Sequence, residues 1–279
     1  MARLRYRLEG EGPPVVLLNG IFQRLESWDP VLPHLTGFTL LRYDMRGQGE
    51  SEAPEGPYPP RAHAEDLLAL LDEAKLSRPA LVGLSNGGIV AMEAALLAPE
   101  RFSALVLCCT TPYLDAALRA KVESWLHALK TGGTVLRLRV ALPWVFGRGF
   151  LEAHPELLAE EGLRGLAAQA PTKTAQERLL LGFLTLEDLR PRLKALALPA
   201  LVLYGTEDLL FPKAYASNLA EALRARLEAL PAGHAAPIEA PLAFARAVPA
   251  FLEQVYAQPP GSGQRHARGA RSRQPRPQG

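Results

Sequence analysis

The stretch Leu81–Val82–Gly83–Leu84–Ser85–Asn86–Gly87–Gly88 decides how the rest of the chain is read. It opens as a buried strand, passes through Gly-x-Ser-x-Gly, and runs into an apolar helical segment from Ile89 to Ala98. A serine on so sharp a strand-to-helix turn occupies strained backbone space, and side chains at Gly83 and Gly87 would collide with it. The turn lifts the hydroxyl clear of the sheet and leaves N–H groups of the helix start facing whatever binds there. The five-residue pattern alone arises by chance. With a strand before it and a helix after it, the pattern points to Ser85 as a nucleophile.

Strands and helices alternate on both sides of this turn. Arg3–Leu8 alternates polar with apolar residues, as an edge strand does, and Val15–Leu18 is a short apolar run suited to a buried parallel strand. Thr39–Tyr43 is the next strand, closed by the turn cluster Asp44–Gly49. A helix is predicted from about Pro60 to Ala74, then strands at Ala80–Gly83 and Ala104–Cys108. From Pro112 to about Leu198 the pattern is helical only, punctuated by Gly132–Gly133, Pro143, Gly147, Pro155 and Pro171. Sheet grammar returns with Ala200–Tyr204, a helix near Ala214–Arg224, a strand at Arg226–Leu230 and a closing helix at Pro241–Tyr256. The expected fold is α/β, a mostly parallel doubly wound sheet built from residues 1–111 and 199–257. An all-helical cap at 112–198 is inserted between two sheet strands, over the strand ends, and 258–279 forms a basic tail. No internal repeat is visible.

With 279 residues, 48% apolar and 22% charged, the chain can bury one large core and belongs with globular enzymes rather than fibrous or disordered chains. No apolar run approaches membrane-spanning length, and Met1–Arg7 lacks the apolar centre of a signal peptide. The two cysteines, Cys108 and Cys109, are adjacent, so a disulfide between them is not expected and a reducing, cytoplasmic setting is. The net charge of +2 conceals a tail with five arginines, Arg265, Arg268, Arg271, Arg273 and Arg276, and no acid. Without them the body is mildly acidic and offers no electrostatic footprint for nucleic acid. The tail is too poor in apolar residues to order and reads as a solvated extension. Arginine far exceeds lysine and asparagine occurs three times, which hints at a heat-adapted or GC-rich bacterial source. No metal-ligand cluster or phosphate loop appears, so neither metal nor cofactor is expected. Neither a nucleic-acid nor a membrane partner is expected, and the oligomeric state is left open.

In an open parallel sheet, ligands gather beyond the carboxyl ends of the strands. Ser85 ends one strand; Asp208 follows another in Tyr204–Gly205–Thr206–Glu207–Asp208; His234 follows the last in Pro231–Ala232–Gly233–His234. Serine needs a neutral imidazole to take its proton, and the imidazole needs a carboxylate to fix its tautomer. The chain order Ser85…Asp208…His234 is the one this topology imposes. Glu207 and Asp115 compete with Asp208 for the carboxylate role. The remaining histidines read as surface or loop residues: His34 in a helix-like stretch, His63 at a helix start, His127 and His154 in the insert, His266 in the tail. An oxyanion would be held by two backbone N–H groups, one from Asn86 and one from Ile21 or Phe22 in the loop after Leu18. Trp125, Trp144, Phe146 and Phe150 are the bulky aromatics of the insert, and Trp28 lies near the loop. Core packing accounts for most of these, leaving one or two to roof an apolar pocket. Arg137, Arg139 and Arg148 read as solvated helix faces, with an acidic-substrate site as the alternative.

Together these residues make the chain resemble an α/β-hydrolase fold serine hydrolase along nearly all of Leu4–Tyr256. The matching pieces are Leu18–Asn19–Gly20–Ile21–Phe22, Asp44-x-Arg46–Gly47-x-Gly49-x-Ser51, Gly83–Leu84–Ser85–Asn86–Gly87–Gly88, Gly205-x-x-Asp208 and Gly233–His234. Asn19 stands where many relatives carry histidine, and Asn86 where a bulky apolar residue is usual. The resemblance implies a Ser–His–Asp triad, a donor near Phe22 and a helical cap. Within the superfamily the chain is most similar to 3-oxoadipate enol-lactonases and small carboxylesterases, through Ser27–Trp28–Asp29–Pro30, Arg42–Tyr43–Asp44 and Asp188–Leu189–Arg190–Pro191–Arg192–Leu193. That similarity implies cleavage of an ester, lactone or thioester of a small acid through an acyl-enzyme. Cofactor-free haloperoxidases or perhydrolases share the site, and a non-catalytic ligand sensor on this fold is the reading from another class.

Overall fold

Seven strands form a single sheet in the computed structural model, which describes residues 1–257. They are β1 (Tyr6–Glu9), β2 (Pro14–Leu18), β3 (Thr39–Tyr43), β4 (Ala80–Leu84), β5 (Leu105–Cys108), β6 (Ala200–Gly205) and β7 (Arg226–Leu230). Their order is β1-β3-β2-β4-β5-β6-β7; β1 runs antiparallel to β3 and all other neighbours are parallel. Composition explains the placement. All five residues of β4 are buried, as a strand covered on both faces requires, whereas β1 is half exposed at the edge. The edge strand expected from Arg3 begins at Tyr6 instead, because Arg3 and Arg5 donate their N–H groups to the side chains of Glu52 and Ser51.

The helices up to the break in the alternation are α1 (Pro60–Glu73) and α2 (Asn86–Leu97). Between β5 and β6 come α3 (Ala116–Val145), α4 (Arg148–Ala153), α5 (Glu160–Gln169), α6 (Lys173–Phe183) and α7 (Arg190–Leu193), and no strand among the described residues. The chain ends with α8 (Lys213–Leu223), α9 (Ala236–Glu239) and α10 (Pro241–Ala257). The tail from Gln258 onward lies outside the described residues. Within α3 the helix breaks at Gly133, whose φ of 71° is open to glycine and strained for other residues.

Successive strand residues face opposite layers. Val16 and Leu41 join Leu67 of α1, Ile89 of α2 and Leu219 of α8 in one core. Val15 and Leu17 join Trp28, Phe38 and Phe244 and Val248 of α10 in the other. Truncating a buried leucine in either layer to alanine costs about 2–5 kcal/mol, so both layers hold the strand ends in register. From β2 the chain crosses to β3 on one side, then returns to β4 on the other. The gap beyond the carboxyl ends of β2 and β4 is therefore the topological switch point, where such sheets bind ligands. No described helix is long and apolar enough to cross a membrane.

Candidate active site

Ser85 sits at this switch point with φ 55° and ψ −120°, a conformation costing a non-glycine residue about 1–3 kcal/mol. Its neighbours hold it there. Its N–H donates to the Cys108 carbonyl at 2.9 Å, and its own carbonyl accepts from Thr110 Oγ1 at 2.7 Å and Gly88 N at 2.9 Å. A Cβ on Gly83 would lie 2.6 Å from the Gly87 backbone, and one on Gly87 would lie 2.2 Å from the Leu18 carbonyl oxygen. The helix starts at Asn86 rather than near Ile89, because Ser85 itself makes the whole turn.

The loops after β6 and β7 bring the other two groups to the hydroxyl. His234 Nε2 lies 2.8 Å from Ser85 Oγ, and His234 Nδ1 lies 2.9 Å from Asp208 Oδ2. A carboxylate only accepts, so Nδ1 carries a proton toward Asp208 and Nε2 faces the serine hydroxyl. The second oxygen, Asp208 Oδ1, accepts from Leu210 N at 2.9 Å and Phe211 N at 2.8 Å, which fixes the carboxylate. The Phe211 ring meets the imidazole edge-on at 4.9 Å. All three side chains are buried, so their mutual attractions act in a low dielectric.

The competing carboxylates are occupied elsewhere. Glu207 accepts from Gly149 N at 3.1 Å, and Asp115 caps α3 through Leu118 N at 2.8 Å while accepting from the Tyr215 hydroxyl at 2.8 Å. Among the other histidines, His34 and His127 are exposed, His154 bonds Glu156, and His266 lies outside the described residues. His63 departs from its surface reading. It is buried with neither ring nitrogen bonded among the described residues, and burial, with Arg46 adding to it, lowers its pKa to about 3. Cys108 and Cys109 are buried free thiols. Hydrogen bonding with Cys108 and burial push the Cys109 thiol up.

The structure separates the two loop candidates for the oxyanion. Phe22, at φ 67°, donates its N–H to Gln48 Oε1 at 2.6 Å, so that donor is already used. The N–H of Ile21 makes no hydrogen bond among the described residues, and Asn86 offers the first, unsatisfied N–H of α2. The buried Gln48 also reaches the Gly20 carbonyl at 3.4 Å, while Asn19 links the loop's base to Trp28 Nε1 at 2.7 Å and the Tyr43 carbonyl at 3.0 Å. Nothing in the sequence around Gln48 signals this role; its partner lies 26 positions away.

A second unforeseen residue is Glu239. Its carboxylate accepts from Gly147 N at 2.9 Å, Gly233 N at 2.8 Å and Ala235 N at 3.0 Å, while His234 N donates to the Val145 carbonyl at 2.8 Å. The histidine loop is thus bolted to the end of α3 on both sides of the imidazole. Burial raises the Glu239 carboxyl above its ordinary value, and the three N–H groups oppose that rise.

Ser85 and His234 open into a cavity of about 270 Å³. Trp125 and Phe146 line it, but Trp28 and Trp144 do not. Trp28 is buried beneath the loop against Phe244 at 5.9 Å, and Trp144 turns outward, 37% exposed, under the Lys121 ammonium. Arg139 and Arg148 are exposed, as their solvated reading expects, and pair with Glu160 and Glu152. Arg137 is buried on the cavity wall, contrary to its solvated reading. Among the described residues, no group of three or more histidine, cysteine, aspartate or glutamate side chains is gathered as a metal would need.

Comparison with known proteins gives the family and the fold. The family model for the alpha/beta hydrolase fold matches residues 13–241. The chain is 28% identical over 255 residues to 3-oxoadipate enol-lactonase 2 of Acinetobacter baylyi, covering 88% of this chain and 91% of that protein. The crystal structure of the enol-lactonase from Burkholderia xenovorans LB400 superposes with a TM-score of 0.80 at 32% identity, covering 90% of this chain and 97% of that one. A thermophilic esterase from Thermogutta terrifontis, solved with malate bound, gives a TM-score of 0.82 at 27% identity, covering 91% and 94%.

Proposed function

Because the chain belongs to the α/β-hydrolase family, we propose that it is a serine hydrolase cleaving an ester, lactone or thioester of a small acid through an acyl-enzyme. One observation carries this reading: a continuous hydrogen-bonded path from Ser85 Oγ through His234 to Asp208, with links of 2.8 and 2.9 Å. The relatives that act on lactones and esters support it, and malate in the Thermogutta terrifontis esterase fits a small acid.

In the proposed reaction Ser85 Oγ attacks the substrate carbonyl carbon while His234 Nε2 takes the hydroxyl proton. The carbonyl π pair moves to oxygen, and the resulting oxyanion is received by the N–H groups of Ile21 and Asn86. Donors of this kind contribute about 3 kcal/mol each to transition-state stabilisation. The tetrahedral centre collapses, the imidazolium returns its proton to the departing alkoxide or thiolate, and the acyl group stays on Ser85. Water then repeats the sequence, with His234 again the base, and releases the acid. Asp208 keeps Nδ1 protonated and steadies the imidazolium. The helices between β5 and β6 are proposed as the cap that selects the substrate, with Trp125 and Phe146 among its walls.

Ser85→Ala is the direct test. Turnover of p-nitrophenyl acetate should fall by at least about 1,000-fold with the fold retained. A fluorophosphonate probe should label the wild-type protein at Ser85 and leave the variant unlabelled. Undiminished turnover in the variant would refute the assignment.

A further inference from the structure

The cavity beside Ser85 is lined by two guanidinium groups, Arg24 and Arg137, and by no aspartate or glutamate among the described residues. Arg24 is half exposed and its charge is shared with Glu26 at 3.5 Å and Gln169 at 3.2 Å. Arg137 is different. It projects from the second half of α3, is 3% exposed, and its guanidinium makes no hydrogen bond or ion pair among the described residues. Its nearest support is the Phe22 ring, 4.2 Å from the guanidinium carbon, which balances part of the charge but accepts none of its five N–H donors. On the same wall, the indole Nε1 of Trp125 is buried without a partner. Buried arginines are ordinarily paired, since removing the charge from water is costly. Burial lowers the Arg137 pKa to about 10, which still leaves it cationic at neutral pH.

We infer that Arg137 is the anchor of an anion subsite, and that the substrate carries a carboxylate held there while its ester or thioester carbonyl lies at Ser85. A planar carboxylate offers the bidentate acceptor that the guanidinium fork lacks. The net positive wall also draws anions in from solution. The inference rests on the acyl-transfer reading of Ser85 and adds the charge class of its substrate.

The test compares p-nitrophenyl hydrogen glutarate with p-nitrophenyl pentanoate, esters of equal acyl length with and without a terminal carboxylate. The wild-type protein should prefer the hemiglutarate, and the kcat/KM ratio of the two should fall about 30-fold in Arg137→Met, as loss of a charge-assisted pair implies. Arg137→Lys should recover part of that ratio, and free glutarate should inhibit the wild-type protein competitively where glutaramide does not. A parallel pair, acetoxybenzoate and phenyl acetate, places the carboxylate on the leaving group. A ratio lost there alone would assign the anion to that side of the substrate. Ratios unmoved in both pairs, with no inhibition by glutarate, overturn the inference. If Arg137→Met does not fold, the lysine variant and the inhibition measurements decide. Wild-type turnover of pentanoate and fluorophosphonate labelling at Ser85 separate the two readings: without them the acyl-transfer assignment fails, and with them only the charge preference is at stake.

Discussion

Gln48 contributes no atom to the proposed chemistry, yet the oxyanion loop depends on it. Its Oε1 accepts the Phe22 N–H at 2.6 Å and holds that residue at φ 67°, which leaves the preceding N–H, that of Ile21, free. Gln48→Met keeps the volume of this fully buried side chain and deletes the acceptor. A part-buried N–H without a partner costs about 1–2 kcal/mol, enough for Phe22 to relax toward negative φ and carry Ile21 with it. An oxyanion donor removed outright costs about 3 kcal/mol. A misplaced one loses part of that, so kcat should fall about tenfold to thirtyfold. KM should move little, because the oxyanion exists only in the transition state. Steady-state kinetics on a neutral p-nitrophenyl ester, with urea unfolding as the control for stability, measure both effects. A variant that unfolds about 1–2 kcal/mol more readily yet keeps wild-type kcat would show that the loop does not act on the oxyanion.

Three further outcomes follow from named contacts. Asp208→Asn leaves the backbone contacts at Leu210 and Phe211 in place but no longer forces Nδ1 to carry the proton, so kcat should drop about 10,000-fold; a loss under tenfold would send the carboxylate role elsewhere. Gly205→Ala drives a Cβ to 2.1 Å from the Gly233 carbonyl and 2.5 Å from that of Ala232, displacing the histidine loop. It should cost about 3 kcal/mol in thermal or urea unfolding along with most of the activity, and wild-type stability would contradict the packing. His63 is neutral in the folded state, its pKa lowered from 6.5 to about 3, with Arg46, Asp66 and Tyr58 around it. The unfolded chain binds its proton first, so the stability contributed by this site is present above pH 6.5 and lost as pH falls toward 3. About 3 kcal/mol disappears between pH 7 and pH 4, and His63→Leu should flatten the unfolding curve there by that amount. An unchanged acid limb would place the lost stability on other groups.

The sheet, its order of elements and the position of the serine turn were legible in the amino-acid chain because their causes are local. A run of Leu, Val and Ile reads as buried strand wherever it lies, and small residues at Gly83 and Gly87 are demanded by backbone atoms within a few positions or just across the turn. Candidates at the strand ends follow from the parallel topology in the same way. What the tertiary structure decided were the choices between chemically equal neighbours. Glu207 and Asp115 are as acidic as Asp208, and only packing sends them to Gly149 and to the start of α3. Ile21 and Phe22 carry the same N–H, and a glutamine 26 residues downstream of Phe22 tells them apart. Arg137 and His63 read as solvated polar residues on helices, and Trp28 and Trp144 stood open between core packing and the pocket roof. Burial of a helical face depends on what the rest of the chain folds against it, which no window of neighbouring residues contains. Periodicity reports the shape of an element; the partners of its polar atoms are chosen by residues distant in sequence, and in this protein those partners determine which donors, acids and cations are left free to face a substrate.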